Sequence, residues 1–423
     1  MPPSLLLVSQ QVRSVRSGVG TYARILLEAL AARGVRCAIA TWKSECDRDA
    51  FGTVRWIELG EKPRWDPTPG GFFTLGKRAA QALHARDGID LVHFLDAREA
   101  HASRRTPGRT MVGTVHDDYA AHAPATPFGL IGRAADPVRR WAYYAWLQRL
   151  EQRTYRKLDA LMANSTATAQ TLTDHYAVAA TDVQTVSLCV PPNAKVAAEA
   201  LHGTPALLFA GGNWYRKGLD VLVRALPQIA ERLPGVQVHV AGRDPAERRI
   251  RALAARTGVA DRLTLHGQVD PARMPAMMAG ATAFVMPSRR EALGLVYLEA
   301  FRAGVPVISG RDGGVSDIVI DGENGLAVPT EDAAALAQAI ITLVTDTELS
   351  KRLVAGGAQT LAERTAVRLI DETLRVYDEV TVSSSEASMH SAPPASASHA
   401  EPVASSRTPK KRRPIAFAEN VRS

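Results

Sequence analysis

The 423-residue chain is predicted to fold as two α/β domains, each a parallel sheet wrapped by helices. Two observations predict this. Short apolar runs alternate with helical patterns almost to the end, as in parallel sheets whose crossovers are helices. The alternation also restarts after a Pro-containing stretch, Pro191–Thr204, so one series becomes two. The length suffices for two cores.

In the first series the strand-like runs are Leu5–Val8, Val35–Thr41, Leu91–Phe94, Met111–Val115, Ala160–Ala163 and Val183–Leu188. Helical patterns cover Gly20–Arg33, Phe73–Arg86, Val138–Lys157 and Ser165–Tyr176. The second series opens at Ala206–Ala210 and continues through Val236–Ala241, Arg262–His266, Ala283–Met286 and Val305–Ser309. Helices at Leu219–Leu233, Ala246–Thr257 and Leu295–Arg302 lie between. Residues 1–195 and 196–362 are therefore read as two Rossmann-like domains. An amphipathic helix follows over 363–381, and residues 382–423 collapse into Ser, Ala and Pro, the composition of a disordered tail.

Net charge is +8, of which the tail contributes three. A modestly basic body suits phosphate-bearing substrates or an anionic membrane. Nucleic acid finds no zinc, helix-turn-helix or aromatic RNA-binding signature. The tail's basic run Lys410–Arg413 reads as solvated. No run reaches membrane-spanning length, and the first apolar run is too short for a signal peptide. Cys37, Cys46 and Cys189 show no metal or disulfide spacing, so a cytoplasmic location is expected.

The most informative stretch is Met286–Pro306, MPSRREALGLVYLEAFRAGVP. A buried strand ends at Pro287, a charged loop carries Glu291, and Gly294 opens a helix that carries Glu299 one turn in. The first amides of that helix, at Gly294 and Leu295, have no intrahelical partners and form a site for phosphate. Glutamates eight residues apart are common by chance, and most glutamates at helix starts are solvated. The stretch Pro287–Val319 as a whole, however, closely resembles the Glu-x7-Glu region of the retaining glycosyltransferases of family 4, which have the GT-B fold. The resemblance extends over about residues 4–345. It implies a transferase that moves a hexosyl unit from a nucleotide-diphosphate sugar to a saccharide or lipid-linked acceptor, with no cofactor and no metal. By the same resemblance Glu299 holds the ribose, Glu291 binds sugar hydroxyls, and the last helix crosses back to the first domain.

SGVGTY brings small residues, Gly18 and Gly20, to a helix start where amides approach an anion. It lacks the full G-x-G-x-x-G of dinucleotide oxidoreductases and resembles the family's glycine-rich loop beside the donor. VGTVHDDYA places His116 directly after a strand. Read bare, His116 is a general base, a metal ligand with Asp117 and Asp118, or an ordinary loop residue. The resemblance places it beside the transferring sugar.

Arg216 and Lys217 stand where a strand, a glycine turn and a helix meet. Two cations at a helix start oppose its dipole and hint at an anionic ligand, and a fixed cation stabilises a leaving diphosphate. Lys217 matches the family's lysine. Gly212 stands where relatives often carry arginine, so Arg216 or Arg243 is expected to supply that charge. LTLHGQVD resembles the family's strand-glycine loop that meets the nucleotide base, and the resemblance implies Val269 as the contact, through backbone groups. Gly313 and Gly314 read as a supporting turn.

The aromatic, basic helix Trp141–Lys157 is expected to pack on the first domain, with docking at the inner face of the cell membrane as the minority alternative. Acceptor contacts are expected in Arg98–Arg109 and His122–Pro137. A nucleotide-sugar epimerase and a catalytically idle scaffold remain as alternatives on this architecture.

Overall fold

The computed structural model describes residues 4–13, 17–52, 54–68, 71–86, 88–123, 137–191 and 196–390, the side chains of 137 and 383–390 excepted. The expected tail from residue 391, its basic run, and residues 124–136 of the expected acceptor loop lie outside the described residues.

The first sheet has seven parallel strands in the order β3-β2-β1-β4-β5-β6-β7. They are β1 (Leu5–Val8), β2 (Cys37–Thr41), β3 (Arg55–Glu58), β4 (Leu91–Phe94), β5 (Thr110–Val115), β6 (Ala160–Ala163) and β7 (Val183–Thr185). Between them run α1 (Gly18–Ala32), α2 (Phe72–His84), α3 (Pro137–Tyr155) and α4 (Thr166–Tyr176). The second sheet has six parallel strands, β10-β9-β8-β11-β12-β13. These are β8 (Ala206–Ala210), β9 (Gln237–Ala241), β10 (Leu263–Gly267), β11 (Ala283–Met286), β12 (Val307–Gly310) and β13 (Leu326–Val328). Its helices are α5 (Leu219–Arg232), α6 (Glu247–Arg256), α7 (Met274–Ala279), α8 (Leu295–Arg302), α9 (Ala333–Thr345) and α10 (Thr347–Glu363).

Every residue of β1, β4, β5, β6, β8, β11 and β12 is buried. Helices on both faces of a parallel sheet bury both faces of its central strands, which is why these read as continuous apolar runs. In each sheet the strand order reverses beside the first strand, between β1 and β4 and between β8 and β11. Ligands of open α/β sheets bind at such switch points, beyond the carboxyl ends of the strands.

β3 and β13 are additional to the expected strands. Both are edge strands: β3, RWIE, is of mixed polarity, and β13, LAV, is only three residues long, so neither carries a clear apolar run. The last helix, α11 (Ala366–His390), begins three residues later than expected and passes the expected end at 381. The Thr365 hydroxyl accepts from the Arg368 amide at 3.1 Å and so starts a new helix after α10. Beyond Val382 the chain reads SSSEAS, which lacks an apolar face yet contains no Gly or Pro to stop the helix. The helix returns to the first domain. The Tyr377 hydroxyl meets His93 Nδ1 of β4 at 2.6 Å, and Glu372 accepts from the Ser187 amide at 2.6 Å.

Candidate active site

The site is built on the β11–α8 unit. Gly294 caps α8 with a left-handed backbone (φ 89°), a conformation favourable to glycine. A Cβ there would lie 2.7 Å from the ring of Tyr297, whose hydroxyl donates to the Met286 carbonyl at 2.6 Å. Strand end and helix start are thereby fixed to each other. The Gly314 amide donates to the Glu291 carbonyl at 2.7 Å, so the Gly313–Gly314 turn supports the loop from below.

Glu291 is 4% exposed and accepts bonds on both oxygens. Oε1 receives Arg216 at 2.8 Å, Lys217 Nζ at 3.1 Å and Ser288 Oγ at 3.1 Å. Oε2 receives the Tyr119 hydroxyl at 3.3 Å. Burial opposes ionisation of Glu291, but Lys217 and Arg216 outweigh it and hold the carboxyl below its ordinary value. Burial also draws the Lys217 ammonium down, against the pull of Glu291. A Cβ at Gly211 would meet the Lys217 stem at 2.7 Å, so that glycine lets the lysine lie over the turn. Glu299 has no side-chain hydrogen bond among the described residues. Burial raises its carboxyl, opposed by Arg302 and Lys217.

The first domain faces this group. Ser17 caps α1 by accepting from the Gly20 amide at 3.2 Å, and a Cβ at Gly18 would lie 3.7 Å from Leu295 Cδ1 of α8. The two helix starts therefore meet across the cleft. Tyr119 lies under the Arg216 guanidinium, 4.1 Å from ring centroid to carbon. Asp118 forms an ion pair with Arg290. His116 donates from Nε2 to the Leu95 carbonyl at 2.7 Å, which leaves Nδ1 as the free nitrogen, and burial lowers its pKa and favours the neutral ring. Asp117 pairs with Arg98 at 3.0 Å. The two aspartates thus turn to different arginines, and no group of three or more His, Cys, Asp or Glu among the described residues is arranged to hold a metal.

Arg216, Lys217, Glu291, Gly294, Leu295 and Gly18 come together, with Glu299 one turn along α8. Arg243 and Val269 stand further out. The Arg243 side chain lies over Gly267, 3.4 Å from a Cβ built there, and its carbonyl is 3.2 Å from one built at Gly212. The Val269 side chain is buried, 7% exposed. Sequence reasoning passed over Tyr119 and the Asp118–Arg290 pair, because their partners lie 172 residues away. It also placed Arg98 in a loop for acceptors. The guanidinium is instead buried among Asp96, Asp117 and Glu151.

Two parallel-sheet Rossmann-like domains that meet across a cleft define the GT-B class of glycosyltransferases. Family comparisons are specific within that class. The group 1 glycosyl transferase model matches residues 192–360, and the glycosyltransferase family 4 model matches residues 16–194. The chain belongs to this family. It is 32% identical over 328 residues to a D-inositol 3-phosphate glycosyltransferase of Stackebrandtia nassauensis, covering 73% of this chain and 72% of that one. It is 37% identical over 138 residues to a GDP-mannose-dependent α-(1-6)-phosphatidylinositol monomannoside mannosyltransferase of Mycolicibacterium smegmatis. That match covers 31% of this chain and spans only 36% of the relative's length. Among solved structures, the sucrose-phosphate synthase of Thermosynechococcus elongatus superposes with a TM-score of 0.71 at 23% identity, over 90% of this chain and 100% of that one. Anabaena HepE in complex with UDP and glucose superposes with a TM-score of 0.66 at 16% identity, over 89% and 99%. At these identities the solved structures speak for the fold alone.

Proposed function

We infer that the protein is a retaining, metal-independent hexosyltransferase that uses a nucleotide-diphosphate sugar and delivers the hexose to an acceptor hydroxyl. One observation carries this reading: two half-buried cations, Arg216 and Lys217, converge on one buried carboxylate, Glu291, beside the open amides of α8. That group has one positive charge in excess, and the helix start adds partial positive charge. A diphosphate takes up both. As the glycosidic bond breaks, negative charge grows on the leaving phosphate, where fixed cations in a water-poor cleft stabilise it most.

In this reading Lys217 and Arg216 serve the diphosphate, with Gly294, Leu295, Gly18 and Gly20 offering close backbone approach. Glu291 binds donor-sugar hydroxyls, Glu299 the ribose, and the Val269 loop the base. Arg243, exposed beside Gly212, is the cation placed to replace the arginine that Gly212 lacks. Arg216 is already engaged by Glu291, the Arg290 carbonyl and Tyr119. His116 borders the reacting carbon, and the leaving phosphate takes the acceptor's proton.

The acceptor is a saccharide or a lipid-linked sugar, in keeping with the phosphatidylinositol-linked relatives. A peripheral contact at the inner face of the cell membrane fits α3. Leu147, Glu151 and Tyr155 of its second half are buried, whereas Val138 in its first turn is 62% exposed beside Arg139 and Arg140. No helix among the described residues is long and apolar enough to cross a membrane.

Thermal unfolding with UDP, GDP, ADP and their sugars tests the reading, since a ligand of the native state raises the melting temperature. One nucleotide series should shift it, and Lys217→Ala and Glu299→Ala should abolish the shift. A folded protein that responds to none of them would overturn the reading in favour of an idle scaffold. A disaccharide product excludes the epimerase.

A further inference from the structure

We propose that the Tyr119 hydroxyl occupies the position of a donor-sugar hydroxyl on Glu291, so that sugar binding is an exchange of one hydroxyl for another and Tyr119 determines donor specificity. This rests on the reading of Glu291 as the sugar carboxylate.

Three observations carry it. All three donors to Oε1, Arg216, Lys217 and Ser288, belong to the second domain, whereas the donor to Oε2 comes from the first. A sugar held in the cleft lies between the domains, so the bond it parts is the one that crosses. Secondly, the Tyr119 hydroxyl donates to a carboxylate oxygen, the bond a sugar hydroxyl makes to a carboxylate. Thirdly, its ring is held against Arg216 and the adjoining Asp118 is paired with Arg290, so the hydroxyl is delivered to Oε2 by two independent contacts.

The exchange makes the site selective. A donor with a hydroxyl at this place replaces the bond it breaks. A donor without one leaves a buried carboxylate oxygen unpaired, which polar sites reject strongly.

The test compares affinities for GDP-mannose against GDP, and for UDP-glucose against UDP, by titration calorimetry. Tyr119→Phe keeps the ring over Arg216 and removes only the competing hydroxyl. The nucleotide sugar that binds should bind roughly five- to ten-fold tighter to this variant, while its nucleoside diphosphate binds as before. Asp118→Asn, which weakens the neighbouring cross-domain pair without touching Glu291, should leave the ratio unchanged. An unaltered or reduced ratio in Tyr119→Phe would overturn the proposal, as would an equal rise in Asp118→Asn, which would mark a closure effect. If the wild-type protein binds neither of these nor any other nucleotide sugar of the UDP, GDP and ADP series, the functional reading itself fails and this inference with it.

Discussion

Asp118 of the first domain and Arg290 of the second form an ion pair one residue away from Tyr119 and Glu291, a second pair that joins the two domains. Arg290 Nε donates to Oδ1 at 3.3 Å, and Thr171 donates to Oδ2 at 3.1 Å. Burial raises the Asp118 pKa, but His122 and Arg290 outweigh it and bring the carboxyl down to about 2. A depressed carboxyl contributes stability above its unfolded value and loses it only as pH falls from about 4 toward 2. The pair therefore persists across neutral pH. Removing one partner of a buried pair leaves the other uncompensated, at a cost of about 3 kcal/mol. Asp118→Ala should lower the denaturation midpoint accordingly at pH 7. The loss should be much smaller near pH 2. An equal loss at both pH values would count against the pairing.

Glu151 has the opposite sign. Its side chain lies inside the first domain, 1% exposed, and its Oε1 has no hydrogen-bond partner among the described residues. Burial raises its carboxyl to about 8, and Arg98 offsets only part of this. The folded protein thus keeps Glu151 neutral while the unfolded chain ionises it from about pH 4 upward. Stability is lost with rising pH across that window, up to about 1.4 kcal/mol per unit. Glu151→Gln keeps an acceptor for the Tyr176 hydroxyl and removes the titration. The variant should match the wild type near pH 4.5 and exceed it by about 4 kcal/mol at pH 8. Chemical denaturation at the two pH values measures this, and a constant difference would place the proton elsewhere.

The glycine that opens α8 is the next test. Gly294→Ala puts a Cβ into the Tyr297 ring on a left-handed backbone, two separate penalties. Backbone strain alone costs about 1–3 kcal/mol. Because the strain falls between Glu291 and the open amides of α8, donor affinity should drop more than ten-fold, with the core intact by circular dichroism. An unchanged nucleotide affinity would show that this turn does not position the site.

Much of this site was legible because its parts are local. Gly294 stands three residues after Glu291, and Glu299 lies one turn into the same helix, so one stretch of sequence specifies strand, turn and helix together. Lys217 was legible through the glycine turn before it and the helix after it. Fully buried strands such as β1 and β8 announced themselves as apolar runs, whereas β3 and β13, half-exposed at sheet edges, did not. Cross-domain pairing left no local mark. Tyr119 looks like any loop tyrosine until the second domain brings Glu291 and Arg216 to it, and Arg98 reads as the start of an acceptor loop until Asp96, Asp117 and Glu151 close around it. Pairing at this separation is a property of the docked domains, not of either segment.

Glu299 and Glu291 together test whether nucleotide and sugar are recognised by separate carboxylates. The Glu299 carboxyl makes no side-chain hydrogen bond among the described residues, it sits one turn along α8 from the open amides of the helix start, and burial raises its pKa. A carboxylate in that condition gains from any pair of hydroxyls brought to it, and hydrogen bonds to a charged group contribute about 1.5–3 kcal/mol. If those hydroxyls belong to the ribose, Glu299→Ala should weaken a nucleoside diphosphate and its nucleotide sugar by the same factor, roughly ten- to one-hundred-fold. Glu291→Ala should instead weaken the nucleotide sugar more than the diphosphate alone. Calorimetric titration of both ligands into both variants gives the comparison. A Glu299→Ala protein that retains diphosphate affinity and loses only the sugar's contribution would exchange the roles of the two glutamates.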